Sequence, residues 1–170
     1  MDREQRLNEV ARIAVSLEAE TGCPARLMIA QWALESQWSV KPAGQANYFG
    51  VKKNARDAHS CAVTTHEVVK GKSIVEVLEF ADYDSLEDSC RDYAWLITNG
   101  APYRGAWTQY QQKHDLDGLI AAVARVYATD PEYARLAESI AGQSNVTQAV
   151  AAADGEPGSR RRFSSLSGRG

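Results

Sequence analysis

Leu7, Val10, Ala14 and Leu17 recur at helical spacing, which predicts a first helix from about Arg3 to Thr21. Gly22 is placed to end it, and Pro24 fits the first turn of a second helix fading near Trp38, before Pro42 and Gly44. The period then changes. Val63, Thr65, Glu67 and Val69 alternate with other residues, Lys70-Gly71-Lys72 can turn, and Ile74 to Phe80 is rich in branched and aromatic side chains, which predicts a β-hairpin over Ser60 to Ala81. Helical periodicity returns at Ser85-Leu-Glu-Asp88, a capping box with Asp in place of Glu, followed by Leu86, Cys90, Tyr93 and Ile97 on one stripe. Asn99-Gly100-Ala-Pro102 breaks that helix. Another fits Leu116 to Ala128, and Asp130-Pro131 opens a last one ending at Gly142. Beyond Gln143 large apolar residues almost vanish, so residues 1–142 are expected to form one domain and 143–170 a disordered Ala/Gly/Ser/Arg-rich tail. The fold class is α+β, mainly α-helical, with one inserted β-hairpin.

Composition narrows the chemistry. A chain of 170 residues can bury one sizeable core, and 44% hydrophobic with 24% charged residues is ordinary for a globular protein. A net charge of -3 argues against nucleic acid as the main partner; Arg160 to Arg162 could touch an anionic polymer but fit a solvated tail better. No apolar run approaches the roughly 18 residues of a membrane span, and the charged N-terminus lacks a signal-peptide core. Synthesis in the cytoplasm is the expectation, with no membrane span. Cys23, Cys61 and Cys90 are widely spaced and form neither a disulfide framework nor a zinc motif, so no metal or cofactor is expected. A Cys nucleophile with His59, His66 or His114 is a weaker alternative.

The sharpest chemical feature is Ala30-Gln-Trp-Ala-Leu-Glu35-Ser-Gln-Trp38. Helical spacing puts Met28, Gln31 and Trp32 on the face of Glu35. Aromatic surroundings and the carbonyls of a helix C-terminus both disfavour the charged form, and a carboxyl kept neutral is what a general acid needs. A solvated glutamate is the plain alternative. Cleaving a glycosidic bond needs a second group, to assist water or to stabilise positive charge. On the hairpin Glu67 is the candidate, with Glu76, Glu79 and Asp82 competing.

Four segments taken together carry a family resemblance. They are the Glu35 segment, Asn47-Tyr-Phe-Gly-Val-Lys52, Thr64-Thr-His-Glu67, and Tyr127-Ala-Thr-Asp-Pro-Glu-Tyr133-Ala134. Over roughly Arg6 to Gly142 the chain resembles the peptidoglycan glucosaminidases, glycoside hydrolase family 73. The resemblance implies a lysozyme-like two-lobed fold, Glu35 as general acid, Glu67 as second carboxylate, and Tyr127 near the acetamido group or anomeric centre. It also implies that Trp38, Asn47, Tyr48 and Tyr133 contact the glycan, whereas Phe49 reads better as core. The implied activity is endo-β-N-acetylglucosaminidase action on bacterial cell-wall glycan. A muramidase, a lytic transglycosylase and a non-catalytic wall-binding or assembly protein are the alternatives. Without a leader, the implied setting is a phage enzyme or part of a tail or secretion apparatus, reaching the wall after release. The family usually has Gly after the position of Trp38 and often before it, where this chain has Ser39 and Gln37.

Overall fold

The computed structural model describes residues 1–54, 56, 58–69, 72–128 and 131–156, with side chains except at 65–69, 72–74 and 131. Helix α1 (Arg3–Thr21) starts from a capping box between Asp2 and Gln5 and stops at Gly22, whose φ of 80° lets its N–H return to the Glu18 carbonyl. Helix α2 (Ala25–Glu35) has no capping side chain of its own, since its N-cap is Pro24. The Glu18 carboxylate of α1 takes the Ala25 N–H instead, at 3.1 Å. Every residue from Leu27 to Ala33 is buried, which makes α2 the axis of the core.

The hairpin pairs β1 (His59–Val69) with β2 (Lys72–Asp82) antiparallel, from His59 opposite Asp82 to Val69 opposite Lys72. The turn expected at Lys70-Gly71 lies outside the described residues. Helix α3 (Leu86–Asn99) opens on Ser85, whose Oγ accepts the Asp88 N–H; the shorter Asp88 side chain meets the Ser85 hydroxyl rather than its backbone N–H. A single 3-10 turn (Ala101–Tyr103) leads into α4 (Arg104–Lys113), then α5 (Leu116–Tyr127), α6 (Pro131–Ala141) and α7 (Ser144–Asp154).

Helices α1, α3, α6 and α7 pack around α2, and α5 packs on α6. The core joins Leu17, Leu27, Met28, Ile29, Trp32, Ile97, Leu119 and Ile120 from four helices. Phe49 is fully buried and stacks on Tyr93, ring centroids 4.3 Å apart.

The tail expected from residue 143 is corrected over 144–154. That stretch is helix α7, and its Val146, Ala149 and Ala153 are buried in the common core against α1. Small residues suffice there because α7 lies close against its neighbour; residues 157–170, with Arg160 to Arg162, lie outside the described residues. No helix among the described residues is long and apolar enough to cross a membrane.

Candidate active site

Glu35 is the last residue of α2 and is half-buried. Burial raises its carboxyl above the usual carboxylate value, and the Tyr133 hydrogen bond opposes the rise. Tyr133, on α6, donates its hydroxyl proton to Glu35 Oε1. The Gln31 carboxamide, one turn back on α2, lies 2.8 Å from the same hydroxyl. A phenol has one proton, so donation to Glu35 leaves Tyr133 Oη to accept from Gln31 Nε2.

The second carboxylate oxygen of Glu35 faces Gly50. A Cβ at residue 50 would stand 3.0 Å from Oε2, and Gly50 has φ +61°. Glycine therefore serves both the left-handed turn and the open space beside the acid.

Tyrosines complete the surroundings. The Tyr127 ring lies 6.4 Å from both Tyr93 and Tyr103, and its buried hydroxyl has no partner among the described residues. Burial first, then neighbouring tyrosines and Glu35, hold Tyr127 well above the ordinary tyrosine value. Tyr103 is pushed up to about 12 by burial and by Glu35, and Tyr133 stands far above its ordinary value from burial and from Glu35. All three remain protonated hydroxyls throughout the physiological range. Tyr103 and Tyr93 were not singled out as site residues in the sequence. Only their aromatic type, near the breaker Gly100 and on the α3 stripe, pointed to them.

The expected site residues divide. Glu35 and Tyr133 meet, with Tyr127 alongside. Asn47 is corrected: expected on the glycan, it is 1% exposed and its amide is fully used. Its Nδ2 donates to the carbonyls of Val51 (2.9 Å) and Ala81 (2.8 Å), and its Oδ1 accepts from the N–H groups of Phe49 and Val51. It pins the 47–51 loop to the base of the hairpin. Tyr48 gives its backbone N–H to Ser89 Oγ, and its hydroxyl is raised first by burial and then by Glu9 and Cys90, with Glu35 not among the groups acting on it. Trp38 meets Trp32 edge-on at 5.5 Å and has the Arg3 guanidinium 3.7 Å over its ring. The two tryptophans thus pack on each other, and tyrosines form the aromatic company of Glu35. The Trp32 indole N–H donates to Ser39 Oγ, fixing the turn after the acid.

That turn explains the family's glycines. Gln37, Trp38 and Ser39 have φ of 51°, 61° and 66°, three successive left-handed residues, none of them glycine. Of the hairpin acids, the Glu67 side chain lies outside the described residues, and its backbone sits opposite Ile74. Glu79 pairs with Lys53 at 3.0 Å, and Asp82 Oδ1 accepts from the N–H groups of Gln45, Ala46 and Tyr83. Cys23 and Cys90 are buried thiols pushed up by that burial, which suits neither as a nucleophile. No group of three or more His, Cys, Asp or Glu side chains able to hold a metal ion occurs among the described residues.

The geometry can be set beside known proteins. The catalytic domain of the autolysin Auto from Listeria monocytogenes superposes with a TM-score of 0.73 at 29% identity, covering 88% of each chain. The glycoside hydrolase domain of Salmonella typhimurium FlgJ gives 0.65 at 26% identity, over 89% of this chain and 94% of that one. In sequence, the peptidoglycan hydrolase FlgJ of Pseudomonas aeruginosa is 35% identical over 80% of this chain and 35% of its own length. A probable N-acetylmuramidase of Lactococcus lactis is 29% identical over 84% of this chain and 34% of its own. The chain thus spans about a third of the length of these curated relatives. The family model described as mannosyl-glycoprotein endo-beta-N-acetylglucosaminidase matches residues 11–146, and on that match the chain belongs to the glucosaminidase family.

Proposed function

We propose that this domain hydrolyses the β-1,4 glycan of bacterial peptidoglycan as an endo-β-N-acetylglucosaminidase, with Glu35 as general acid. The observation that carries the reading is the Glu35 carboxyl, half-buried, raised above its usual value and held by Tyr133 beside Gly50. Because Tyr133 occupies Oε1, the proton to be given to the leaving oxygen belongs on Oε2, on the side that Gly50 keeps open. Tyr127 and Tyr103 are neutral at working pH and offer uncharged hydroxyls near the developing positive charge. The second carboxylate is Glu67. By register it shares parity with the half-buried Cys61, Val63, Leu78 and Phe80 near the base of the hairpin and with the exposed Glu76, and not with Val75 and Val77. Names of relatives support the substrate, since they include peptidoglycan hydrolases and an autolysin. The place of action is the cell wall, reached by release or by a phage, tail or secretion apparatus.

The Lactococcus relatives named as probable N-acetylmuramidases favour a second reading, cleavage of the alternate bond on the same fold. One experiment decides. Purified peptidoglycan is digested, reduced with borohydride and hydrolysed. N-acetylglucosaminitol-derived product as the main new alditol supports the glucosaminidase, muramitol the muramidase, and 1,6-anhydro ends a transglycosylase that needs no water-activating Glu67.

A further inference from the structure

Helix α3 carries aromatic residues on two opposite faces. Tyr93 points inward and stacks on Phe49; Trp95, two residues on, turns about 200° away. It is 41% exposed, unusually open for a tryptophan. Its ring is not loose. The Arg56 guanidinium sits 3.3 Å over it and is itself held by Asp92 at 3.1 Å.

Trp95 also lines a groove of about 510 Å³ that Arg56 does not enter, together with Arg91, Thr98, Asn99, Trp107 and Gln111. None of these residues belongs to the Glu35 cluster. Trp107 forms a second aromatic wall, fixed against the C-cap of α1, where a Cβ at Gly22 would lie 3.5 Å from its ring. From Trp107 the aromatic row continues along one face of α4 through Tyr110, 5.6 Å away, to His114, a further 5.9 Å. The groove's strongest charge is already compensated, because Arg91 pairs with Glu20 at 2.7 Å and Glu87 at 3.3 Å. Asn99 spends its Nδ2 on the Trp95 carbonyl and Thr98 Oγ1, leaving Oδ1 as an acceptor. Glu20 also lines the groove and is the carboxylate that pairs with Arg91, so two positioned indoles, two amides and the hydroxyls of Thr21 and Thr98 around one internal ion pair fit a neutral ligand with one apolar face and a polar rim. A pyranose ring bearing an acetamido group has that character; a phosphate or an acidic peptide does not.

We infer that the Trp95–Trp107 groove is a second binding site for an N-acetylhexosamine glycan strand, holding the polymer while another stretch occupies the Glu35 cleft. The choice of glycan rests on the proposed function above. The test uses the full chain carrying Glu35→Gln, with labelled indoles, titrated with the N-acetylglucosamine tetramer. The chain has four tryptophans, so each indole N–H signal can be assigned by single Trp→Phe variants. The expected result is movement of the Trp95 and Trp107 signals. In the otherwise native chain, Trp95→Ala and, as a milder variant, Gln111→Ala should weaken retention on insoluble cell walls. The loss expected for Trp95→Ala is about fivefold or more. Hydrolysis of soluble tetramer should stay unchanged. If signals around Glu35 move while Trp95 and Trp107 stay still, the groove is overturned and the proposed substrate stands. If no signal moves, both fail.

Discussion

Tyr133 gives its hydroxyl proton to Glu35 across 98 residues of sequence, so the acid of α2 is positioned by the helix that follows the Tyr127 motif. This single contact joins the two most distinctive segments of the chain. It also opposes the effect of burial on the acid, since a donor to a carboxylate favours the charged form.

Removing that donor should therefore move a pH profile in a fixed direction. Tyr133→Phe takes away the interaction that lowers the Glu35 value, leaving burial unopposed. The alkaline limb of activity on purified walls should shift to higher pH, with peak activity reduced by roughly tenfold or more. A limb that stays in place or moves down would show that Tyr133 does not act through Glu35.

Glu35→Gln should retain the fold and lower turnover by about 10²–10⁴-fold. Its stability has a sign as well. The folded value of Glu35 is raised above the unfolded one, so its stabilising share is complete below the unfolded value and is lost as pH rises through the folded value. Gln never acquires the buried charge. Melting midpoints measured from pH 4 to 9 should show the variant gaining on the native chain as pH rises; a constant gap would contradict the raised carboxyl.

Asn47→Ala should be costly to the fold itself. It strips partners from the buried carbonyls of Val51 and Ala81 and from the N–H groups of Phe49 and Val51. A loss of about 2–4 kcal/mol is expected, or roughly 5–15 °C in melting temperature. A near-native melting curve with activity lost would instead return Asn47 to the glycan.

Gln37→Gly should stabilise. Residue 37 is exposed, with φ of 51°, so glycine relieves left-handed strain without removing packing. The gain expected is about 0.5–1 kcal/mol, seen as a rise of roughly 1–4 °C. Destabilisation would mean that the turn is held by the Gln37 side chain.

A chain ending at Gly142 should melt at least about 5 °C lower, because it loses Val146, Ala149 and Ala153 from the core and uncovers α1. An unchanged midpoint would show that α7 merely rests on the surface.

Legibility from sequence followed the size and spacing of apolar residues. Helix α1 announced itself through Leu7, Val10, Ala14 and Leu17, and the hairpin through alternation with branched residues. Helix α4 fully buries none of its residues: Ala106, Trp107 and Tyr110 pack only partly against the core, a stripe too short among Gln, Arg and Gly to predict a helix. Helix α7 was mistaken for tail because its inward face is Val and Ala, too small to stand out. Within the site, Glu35 was visible from its apolar setting, but the partner of its carboxylate was not. Tyr127 and Tyr133 lie in one motif, and only the third dimension puts Tyr133 on Glu35. Asn47 misled for a different reason: an amide that binds sugar and one that binds four backbone groups are identical in sequence.

The attachment of the hairpin makes it a lever. Its described ties to the body cluster at one end, where Lys53 N–H meets the Glu79 carbonyl, Ala81 N–H meets that of Val51, and Asn47 and Asp82 grip the same corner. Ile74, the partner of Glu67, lies seven residues from Ala81, an arm of roughly 23 Å. A tilt of only about 10° at the base sweeps the far end through about 4 Å, which is the difference between carboxyl separations suited to a covalent intermediate and those suited to an attacking water. With Glu67 as the proposed second carboxylate, the stereochemical course would depend on how stiffly Asn47 and Asp82 hold the base of the hairpin, far from the bond being broken.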